Sequence, residues 1–378
     1  MSTVKKIVIV SPAHPLRGGI AASSERLAQA LLEMGHEVVI YSFSLQYPAF
    51  LFPGKTQFTD DPPPEGLHIK TCINAVNPLN WIQSGRRIAG EQPDQVIVRF
   101  WLPFMGPCLG TVLRMARFFS RKRLKITALV DNIVPHEKRF GDRPFAKYFV
   151  GACDDFVAMS QSVQEEIRTF DRNKPIRFAP HPVYDNYGSS MKKADAREQL
   201  HIPEAVKLVL FFGFIRKYKG LDLLLDALAK TPDVHALVAG ECYEDWSYYQ
   251  QIIDRHHLQD RLYLHMDFIP ADQVRVFFSA ADLVVQPYRS ATQSGISQIA
   301  YHFEQPMVVT RVGGLPEIVT HGVSGYVVDA EPQAIASAIT DFFDNQRDAT
   351  FQEGIRQEKE RFSWEYLGNQ LLDAAGKN

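Results

Sequence analysis

Two glycines and two cationic side chains stand between a short apolar run and a helical pattern in the second half of the sequence. Gly213 directly follows the apolar run at 208–212, Arg216 and Lys219 lie three residues apart, and Gly220 opens the helical pattern. Glycine lets the backbone approach a ligand closely, arginine offers paired hydrogen bonds, and lysine offers a point charge. This combination suits a diphosphate group; the alternative is a solvated basic turn without a ligand.

Small polar residues follow a second predicted strand of the same half. Thr292, Gln293, Ser294 and Gly295 stand at the strand-to-helix turn, and Gln298 follows in the predicted helix. Backbone N–H groups exposed at such a turn form a cradle for an anion or a sugar. An ordinary helix capped by a threonine or serine is an equally good interpretation.

Glycine pairs follow other predicted strands. Gly18 and Gly19 come after the first apolar run of the chain, where their backbone could reach a ligand of the opposite domain. Gly313 and Gly314 form a comparable pair in the second half. Because most glycine pairs only make turns, each pair is weak evidence by itself.

Short apolar runs alternate with helical patterns in both halves, which is typical of βαβ units in parallel sheets. The predicted strands are 7–10, 38–41, 95–98, 125–130 and 155–159 in the first half and 208–212, 236–239, 262–264, 283–285, 307–309 and 326–328 in the second. We predict an α/β fold of two doubly wound, Rossmann-like domains that face a central cleft. Ligands of such sheets lie beyond the carboxyl ends of the strands, which is where the glycines and cations stand.

The length of 378 residues fits two domains. We predict an N-terminal domain at 1–175 and a C-terminal domain at 194–355. A linker at 176–193, which contains prolines, a glycine and serines, joins them. We expect the last segment, 356–378, to form a helix that crosses back to the N-terminal domain.

The composition excludes several classes of protein. The chain is 46% hydrophobic and 22% charged, and 41 Lys plus Arg against 43 Asp plus Glu give a formal net charge of −2. This balance argues against a generally basic nucleic-acid binder and against an acidic disordered chain. The four cysteines form no CxxC pair, which favours a reducing compartment. No apolar stretch reaches the roughly 18 residues of a transmembrane helix, so we expect a cytoplasmic protein.

Taken together, these features resemble the family 4 glycosyltransferases. The resemblance rests on Gly213, Arg216, Lys219 and Gly220, then Gly240-Glu241, the turn at 288–298, and the runs at 306–309 and 313–319. The Gly18-Gly19 turn and the helix after it extend the resemblance to nearly the whole chain. It implies the GT-B fold, in which the N-terminal domain at 1–175 would bind the acceptor and the C-terminal domain at 194–355 the donor. It also implies a nucleotide-sugar donor and a retaining reaction.

The resemblance also implies roles for individual residues. Arg216 and Lys219 would bind the donor diphosphate and stabilise charge on the leaving nucleotide, and His136 would contact the transferred sugar. The alternative for His136 is an ordinary surface residue. The implied donor-binding residues are Gly18, Gly19, Gly213, Glu241, Thr292, Gln293, Ser294, Gly295 and Gln298. The sequence contains no Asp-x-Asp motif, so we expect no metal and no other cofactor.

The chain departs from the family pattern at a pair of glutamates. The family usually carries one near the transferred sugar and one on the nucleotide ribose, and these positions fall near Ala291 and Ile299. Thr292, Gln293 and Gln298 could supply neutral hydrogen bonds instead. The departure leaves two alternatives open: a non-catalytic sugar-nucleotide-binding protein, or another GT-B enzyme such as a sugar-nucleotide epimerase.

The segment 111–125 combines an apolar helical face with six cations and no acid: Arg114, Arg117, Arg121, Lys122, Arg123 and Lys125. Such a segment could bind anionic lipid headgroups, at about 1 kcal/mol per cation, and the alternative is a crossover helix with a solvated basic end. We predict sugar transfer to a glycan or lipid-linked acceptor in cell-surface polysaccharide biosynthesis. Peripheral contact with the inner face of the membrane is a further option, and no nucleic-acid partner is expected.

Overall fold

The contacts within the chain divide it into two units, Met1–Pro180 with Trp364–Asn378, and His181–Ser363. The structure is a computed structural model that describes residues 4–48, 57–59, 62–134, 141–291 and 294–372. Each unit is built on its own parallel sheet.

The sheet of the first unit has the strand order β3-β2-β1-β4-β5-β6-β7, and all of its strand pairs are parallel. Its strands are β1 Lys6–Val10, β2 Glu37–Leu45, β3 Ile69–Asn74, β4 Gln95–Phe100, β5 Lys125–Val130, β6 Asp155–Ala158 and β7 Ile176–Phe178. Its helices include α1 Gly19–Glu33, α2 Pro78–Gly90, α3 Gly106–Phe119, α4 Asp142–Val150 and α5 Gln161–Arg168. Val8 and Val10 pack into one core, and Ile7 and Ile9 into another, because successive side chains of a strand point to opposite faces.

The sheet of the second unit has the order β10-β9-β8-β11-β12-β13 and is also parallel. Its strands are β8 Lys207–Phe212, β9 Val234–Ala239, β10 Leu262–His265, β11 Leu283–Gln286, β12 Met307–Thr310 and β13 Gly325–Val328. Its helices are α6 Lys193–Gln199, α7 Leu221–Leu228, α8 Trp246–His256, α9 Val274–Ala280, α10 Gly295–His302, α11 Leu315–Ile318, α12 Pro332–Asp344 and α13 Asp348–Glu358. Alternate residues of β8 again divide between two cores.

The strand order reverses once in each sheet, between β1 and β4 and between β8 and β11. This is the doubly wound arrangement, so the predicted α/β fold class with two Rossmann-like sheets is confirmed. A crevice forms at the carboxyl ends of the strands where the order reverses, and ligands of such sheets bind there. Among the residues that the structure describes, no helix is long and apolar enough to span a membrane.

The segments predicted as a linker and as a terminal helix differ in detail from the structure. The predicted linker at 176–193 begins with β7, which pairs with β6 and therefore belongs to the first sheet. The predicted helix at 356–378 is, as far as residue 372, the end of α13, a 3-10 turn at Lys359–Phe362 and α14 Trp364–Leu372, and residues 373–378 lie outside the described residues. The break occurs because Ser363 adopts an extended conformation. Helix α14 lies in the first unit, where the Gln95 side chain donates a hydrogen bond of 2.7 Å to the Leu371 carbonyl.

Candidate functional site

A cavity of about 270 Å³ lies at the carboxyl end of the second sheet, where the strand order reverses. The segments that follow β8, β9 and β10 bound it, together with α9 and α10. Two of its lining residues are charged, Lys219 and Glu241, and the others are glycine, aliphatic or aromatic. The cavity therefore offers one cation, one carboxylate and the phenol of Tyr187, and its other lining side chains are apolar.

Lys219 brings a nearly buried ammonium group to this cavity. The residue is 8% exposed, and its ammonium lies 5.6 Å from the centre of the Tyr288 ring. Within the described part of the chain, no carboxylate forms an ion pair with it. Burial, and secondarily the positive charge of Arg216, lowers the pKa of Lys219 from 10.5 to about 8. A buried cation without a counter-ion is destabilising by itself, so an anionic ligand would relieve the cost of its burial.

Gly213 gives the ammonium of Lys219 room to enter the cavity. A Cβ atom at Gly213 would lie 2.9 Å from the Lys219 Nζ and 3.3 Å from the Cδ1 of Ile296, and the backbone φ of Gly213 is +94°. Gly240 approaches from the neighbouring strand so closely that its own Cβ would lie 2.4 Å from the Gly213 carbonyl oxygen. Two of the predicted glycines are therefore required by close packing at the cavity.

The loop that carries Lys219 is tied to the segment after β11. The Arg289 guanidinium donates hydrogen bonds of 2.7 and 2.9 Å to the two carboxylate oxygens of Asp222, in the first turn of α7. The Arg289 amide donates to the Tyr218 carbonyl at 2.7 Å. This pair could not be predicted from the sequence, because residues 67 positions apart leave no local signal.

Arg216 stands in a different environment from Lys219. Its side chain is exposed, and its guanidinium lies 5.1 Å from the centre of the Tyr243 ring. The Tyr243 hydroxyl donates a hydrogen bond of 2.9 Å to Glu241, which lines the cavity. Of the two predicted diphosphate-binding cations, Lys219 thus lines the cavity and Arg216 does not. Arg216 is nevertheless close enough for its charge to lower the pKa of Lys219.

The predicted turn after β11 is only partly described. Ser294 is buried, and its hydroxyl lies 3.4 Å from the Tyr288 hydroxyl. Gly295 begins α10, and a Cβ atom there would lie 2.9 Å from the Tyr184 ring. The predicted site residues Thr292, Gln293 and His136 lie outside the described residues.

Helix α10 turns apolar side chains toward the cavity. Ile296 and Ile299 line it, whereas the Ser297 hydroxyl forms hydrogen bonds of 3.0 and 3.1 Å with the side-chain amide of Gln286. Gln298 is 1% exposed, and neither polar atom of its side chain has a hydrogen-bond partner. Gln298 is not among the cavity-lining residues, so the structure does not bring it to Lys219.

The predicted Gly18-Gly19 turn lies in the first unit, between β1 and α1. Gly18 has a φ of +115° and precedes α1, which Gly19 begins, and a Cβ atom at either residue would meet nothing within 4 Å. Deeper in the same unit, Arg99 is 3% exposed and donates hydrogen bonds of 2.8 and 2.7 Å to Asp131. This buried ion pair at the carboxyl ends of β4 and β5 was also missed from sequence.

In the described ranges, no three His, Cys, Asp or Glu side chains are grouped so that they could hold a metal ion. The four cysteines are free thiols, and burial raises the pKa of Cys108 to about 12.

Two family models match the chain and together span most of it. Residues 17–186 match the model described as Glycosyltransferase Family 4, and residues 192–360 match the model described as Glycosyl transferases group 1.

Relatives found by sequence agree with these models. An uncharacterized glycosyltransferase of Methanocaldococcus jannaschii is 23% identical over 97% of this chain and 97% of its own length. The D-inositol 3-phosphate glycosyltransferase of Mycolicibacterium gilvum is 32% identical over 49% of this chain and 42% of its own length. The second relative is therefore matched over less than half of its length.

Solved structures share the fold over nearly the whole chain. Anabaena HepE in complex with UDP has a TM-score of 0.71 at 19% identity, covering 97% of this chain and 98% of that one. Sucrose-phosphate synthase from Thermosynechococcus elongatus has a TM-score of 0.70 at 17% identity, covering 97% of both chains. The fold and the sequence matches define a glycosyltransferase of the GT-B type. Within that class, the chain belongs to the family 4 glycosyltransferases.

Proposed function

We propose that this glycosyltransferase takes a sugar from a nucleoside diphosphate sugar and transfers it to a glycan or lipid-linked acceptor in cell-surface polysaccharide biosynthesis. One observation carries the proposal: the ammonium of Lys219 enters a 270 Å³ cavity at the strand-order reversal, with no carboxylate paired to it among the described residues. A donor diphosphate supplies the missing negative charge. The UDP and UDP-glucose bound in structures of Anabaena HepE, a protein of the same fold, support this donor class.

In the proposed reaction, Lys219 and Arg216 stabilise the leaving nucleoside diphosphate. As the bond between the sugar and the diphosphate breaks, negative charge accumulates on the departing phosphate oxygen. Lys219 stabilises that charge from inside the cavity, where the exclusion of water strengthens the interaction. Arg216 adds positive charge from its exposed position. We propose that no metal is required and that the anomeric configuration is retained, with the donor phosphate accepting the proton of the attacking hydroxyl.

The experiment begins with a thermal-shift screen of UDP-, GDP-, ADP-, CDP- and dTDP-linked sugars, since binding to the native state alone raises the melting temperature. The bound donor is then incubated with glycan and lipid-linked acceptors. We expect nucleoside diphosphate release that depends on the acceptor. Binding without release would instead indicate a non-catalytic sugar-nucleotide-binding protein, and an isomerised donor would indicate an epimerase.

Two further measurements test the proposed chemistry. The NMR coupling at the new anomeric centre should show the configuration of the donor, and inversion would contradict a retaining reaction. A chelator should leave the turnover rate unchanged, and a loss that added divalent cations restore would contradict metal independence.

We also propose a cytoplasmic enzyme that touches the membrane through the end of α3. Phe118 is 75% exposed there, and Arg121 and Arg123 are exposed without a carboxylate partner among the described residues. Arg117 and Lys122, by contrast, form ion pairs with Asp154 and Asp94, so fewer cations are free than the sequence suggests.

Cosedimentation with vesicles tests this contact. The protein should bind phosphatidylglycerol vesicles, and Phe118→Ser should weaken that binding, while Leu264→Ser, at an exposed position of the second unit, should not. Equal recovery with neutral and anionic vesicles would contradict the proposal.

A further inference from the structure

Tyr243 is the side chain that Arg216 contacts beside the cavity. The Arg216 guanidinium lies 5.1 Å from the centre of the Tyr243 ring, within the distance of a cation–π interaction. Both residues are exposed, Tyr243 by 52%. In the part of the chain that the structure describes, no carboxylate forms an ion pair with Arg216. The Tyr243 ring therefore holds this guanidinium in place, where an exposed arginine commonly relies on a carboxylate.

The backbone brings Tyr243 next to Arg216 by continuing the pairing of β8 with β9 beyond the ends of both strands. The Ile215 amide donates a hydrogen bond of 2.9 Å to the Glu241 carbonyl, and the Tyr243 amide donates one of 3.2 Å to the Ile215 carbonyl. Ile215 and Cys242 form a parallel bridge between these two bonds. Because Arg216 directly follows Ile215 in the chain, this pairing fixes the register of Tyr243 against Arg216.

The side chain of Tyr243 is held at two points by residues that line the cavity. Its hydroxyl donates a hydrogen bond of 2.9 Å to the Glu241 carboxylate. Its ring meets the Phe214 ring edge to face, with the ring centres 5.0 Å apart. The Tyr243 ring is therefore a fixed surface next to the cavity, although half of the residue is exposed.

A fixed ring of this kind prepares an arginine for binding an anion. An exposed arginine has many rotamers, and ordering its side chain when a ligand binds costs conformational entropy. A ring that orders the guanidinium beforehand reduces this cost and strengthens binding of the ligand. A cation–π contact leaves the N–H donors of the guanidinium available to phosphate oxygens.

From this geometry we infer that Tyr243 is a positioning residue for the donor diphosphate, because its ring holds the Arg216 guanidinium beside the cavity that Lys219 enters. The inference rests on the proposed function, since it takes Arg216 as a diphosphate-binding residue. It assigns a role in donor binding to the segment after β9, through a residue that the sequence did not single out.

A double-mutant cycle on the full chain tests the inference, with calorimetry of the nucleotide that binds most tightly among UDP, GDP, ADP, CDP and dTDP. Tyr243→Phe keeps the ring and Tyr243→Leu removes it, and both lose the hydrogen bond to Glu241, so the two variants differ in the ring alone. We expect the leucine variant to bind about two- to fivefold more weakly than the phenylalanine variant, as for an exposed cation–π contact. When both variants also carry Arg216→Met, they should bind equally, because no guanidinium is left to hold. Lys219 remains in all four proteins and keeps the affinity measurable.

Two results would overturn the inference and leave the proposed function intact. The first is equal affinity of the phenylalanine and leucine variants while Arg216 is present. The second is a difference that persists with Arg216→Met, because the ring would then act on the nucleotide or on the fold and not through Arg216. Absence of binding of all five nucleotides to the unaltered protein would overturn the proposed function as well.

Discussion

Arg289 and Asp222 form a two-pronged ion pair with hydrogen bonds of 2.7 and 2.9 Å, which joins the segment after β11 to the first turn of α7. Arg289 also bonds the Tyr218 carbonyl, so its two contacts bracket the short loop that carries Lys219. The pair therefore positions the ammonium of Lys219 without lining the cavity itself.

Replacement of Arg289 by alanine should disturb both stability and donor binding. The mostly buried Asp222 carboxylate would lose its cationic partner and keep only the hydrogen bond from the Tyr248 hydroxyl, at a cost of about 1–3 kcal/mol in the free energy of unfolding. We also expect several-fold weaker binding of a nucleoside diphosphate, measured by calorimetry, because the loop of Lys219 is released. Arg311→Ala is the matched control, since the Arg311–Asp329 ion pair is exposed and contributes about 0–1 kcal/mol. Unchanged nucleotide affinity in the Arg289 variant would show that the ion pair is structural only.

The affinity for a nucleoside diphosphate should depend on pH through Lys219. Its pKa of about 8 in the free protein means that the ammonium is charged below pH 8 and increasingly neutral above it. Binding of the diphosphate favours the charged form, so above pH 8 binding must take up a proton. We expect calorimetric affinity to fall between pH 8 and about 9.5, by up to about tenfold per pH unit. Lys219→Met should lose this pH dependence of the affinity. If its pH profile matches that of the unaltered protein, a group other than Lys219 causes the dependence.

Gly213→Ala should lower the free energy of unfolding much more than Gly19→Ala. At Gly213 the new Cβ would lie 2.9 Å from the Lys219 Nζ, and the φ of +94° is strained for any L-residue. We expect a loss of about 1–3 kcal/mol in the free energy of unfolding, measured by denaturant titration. At Gly19 a Cβ meets nothing within 4 Å, so stability should stay within about 0.5 kcal/mol. Equal losses at both positions would contradict the close packing inferred around Gly213.

The central strands could be predicted from sequence because burial on both faces makes them continuous apolar runs. The strands β1, β4, β5 and β8 are buried along almost their whole length, and each was predicted. Strand β3 was missed, since it lies at the edge of its sheet and exposes Lys70 and Thr71. Strand β7, also at an edge, is only three residues long.

Some residues of the candidate site could likewise be predicted from the sequence, and others could not. Gly213 and Lys219 could be predicted because they lie close together in the sequence, directly after a strand. Arg289 and Asp222, like Arg99 and Asp131, are distant in sequence and meet only through the tertiary fold. The difference between Lys219 and Arg216 in burial also follows from the fold, since a 3-10 turn at Lys217–Lys219 directs only one of the two into the cavity.

The most direct measurement of the central claim is the calorimetric affinity of Lys219→Met for the nucleoside diphosphate that binds the unaltered protein most tightly. Methionine keeps the length and the apolar part of the side chain, so the fold should be retained or made more stable as the buried charge is removed. Loss of a hydrogen bond to a charged group, about 1.5–3 kcal/mol, predicts about 10- to 100-fold weaker binding. Lys217→Met, at an exposed position of the same loop, should change the affinity less than threefold. Unchanged affinity in the Lys219 variant would contradict the assignment of the cavity as the donor diphosphate site.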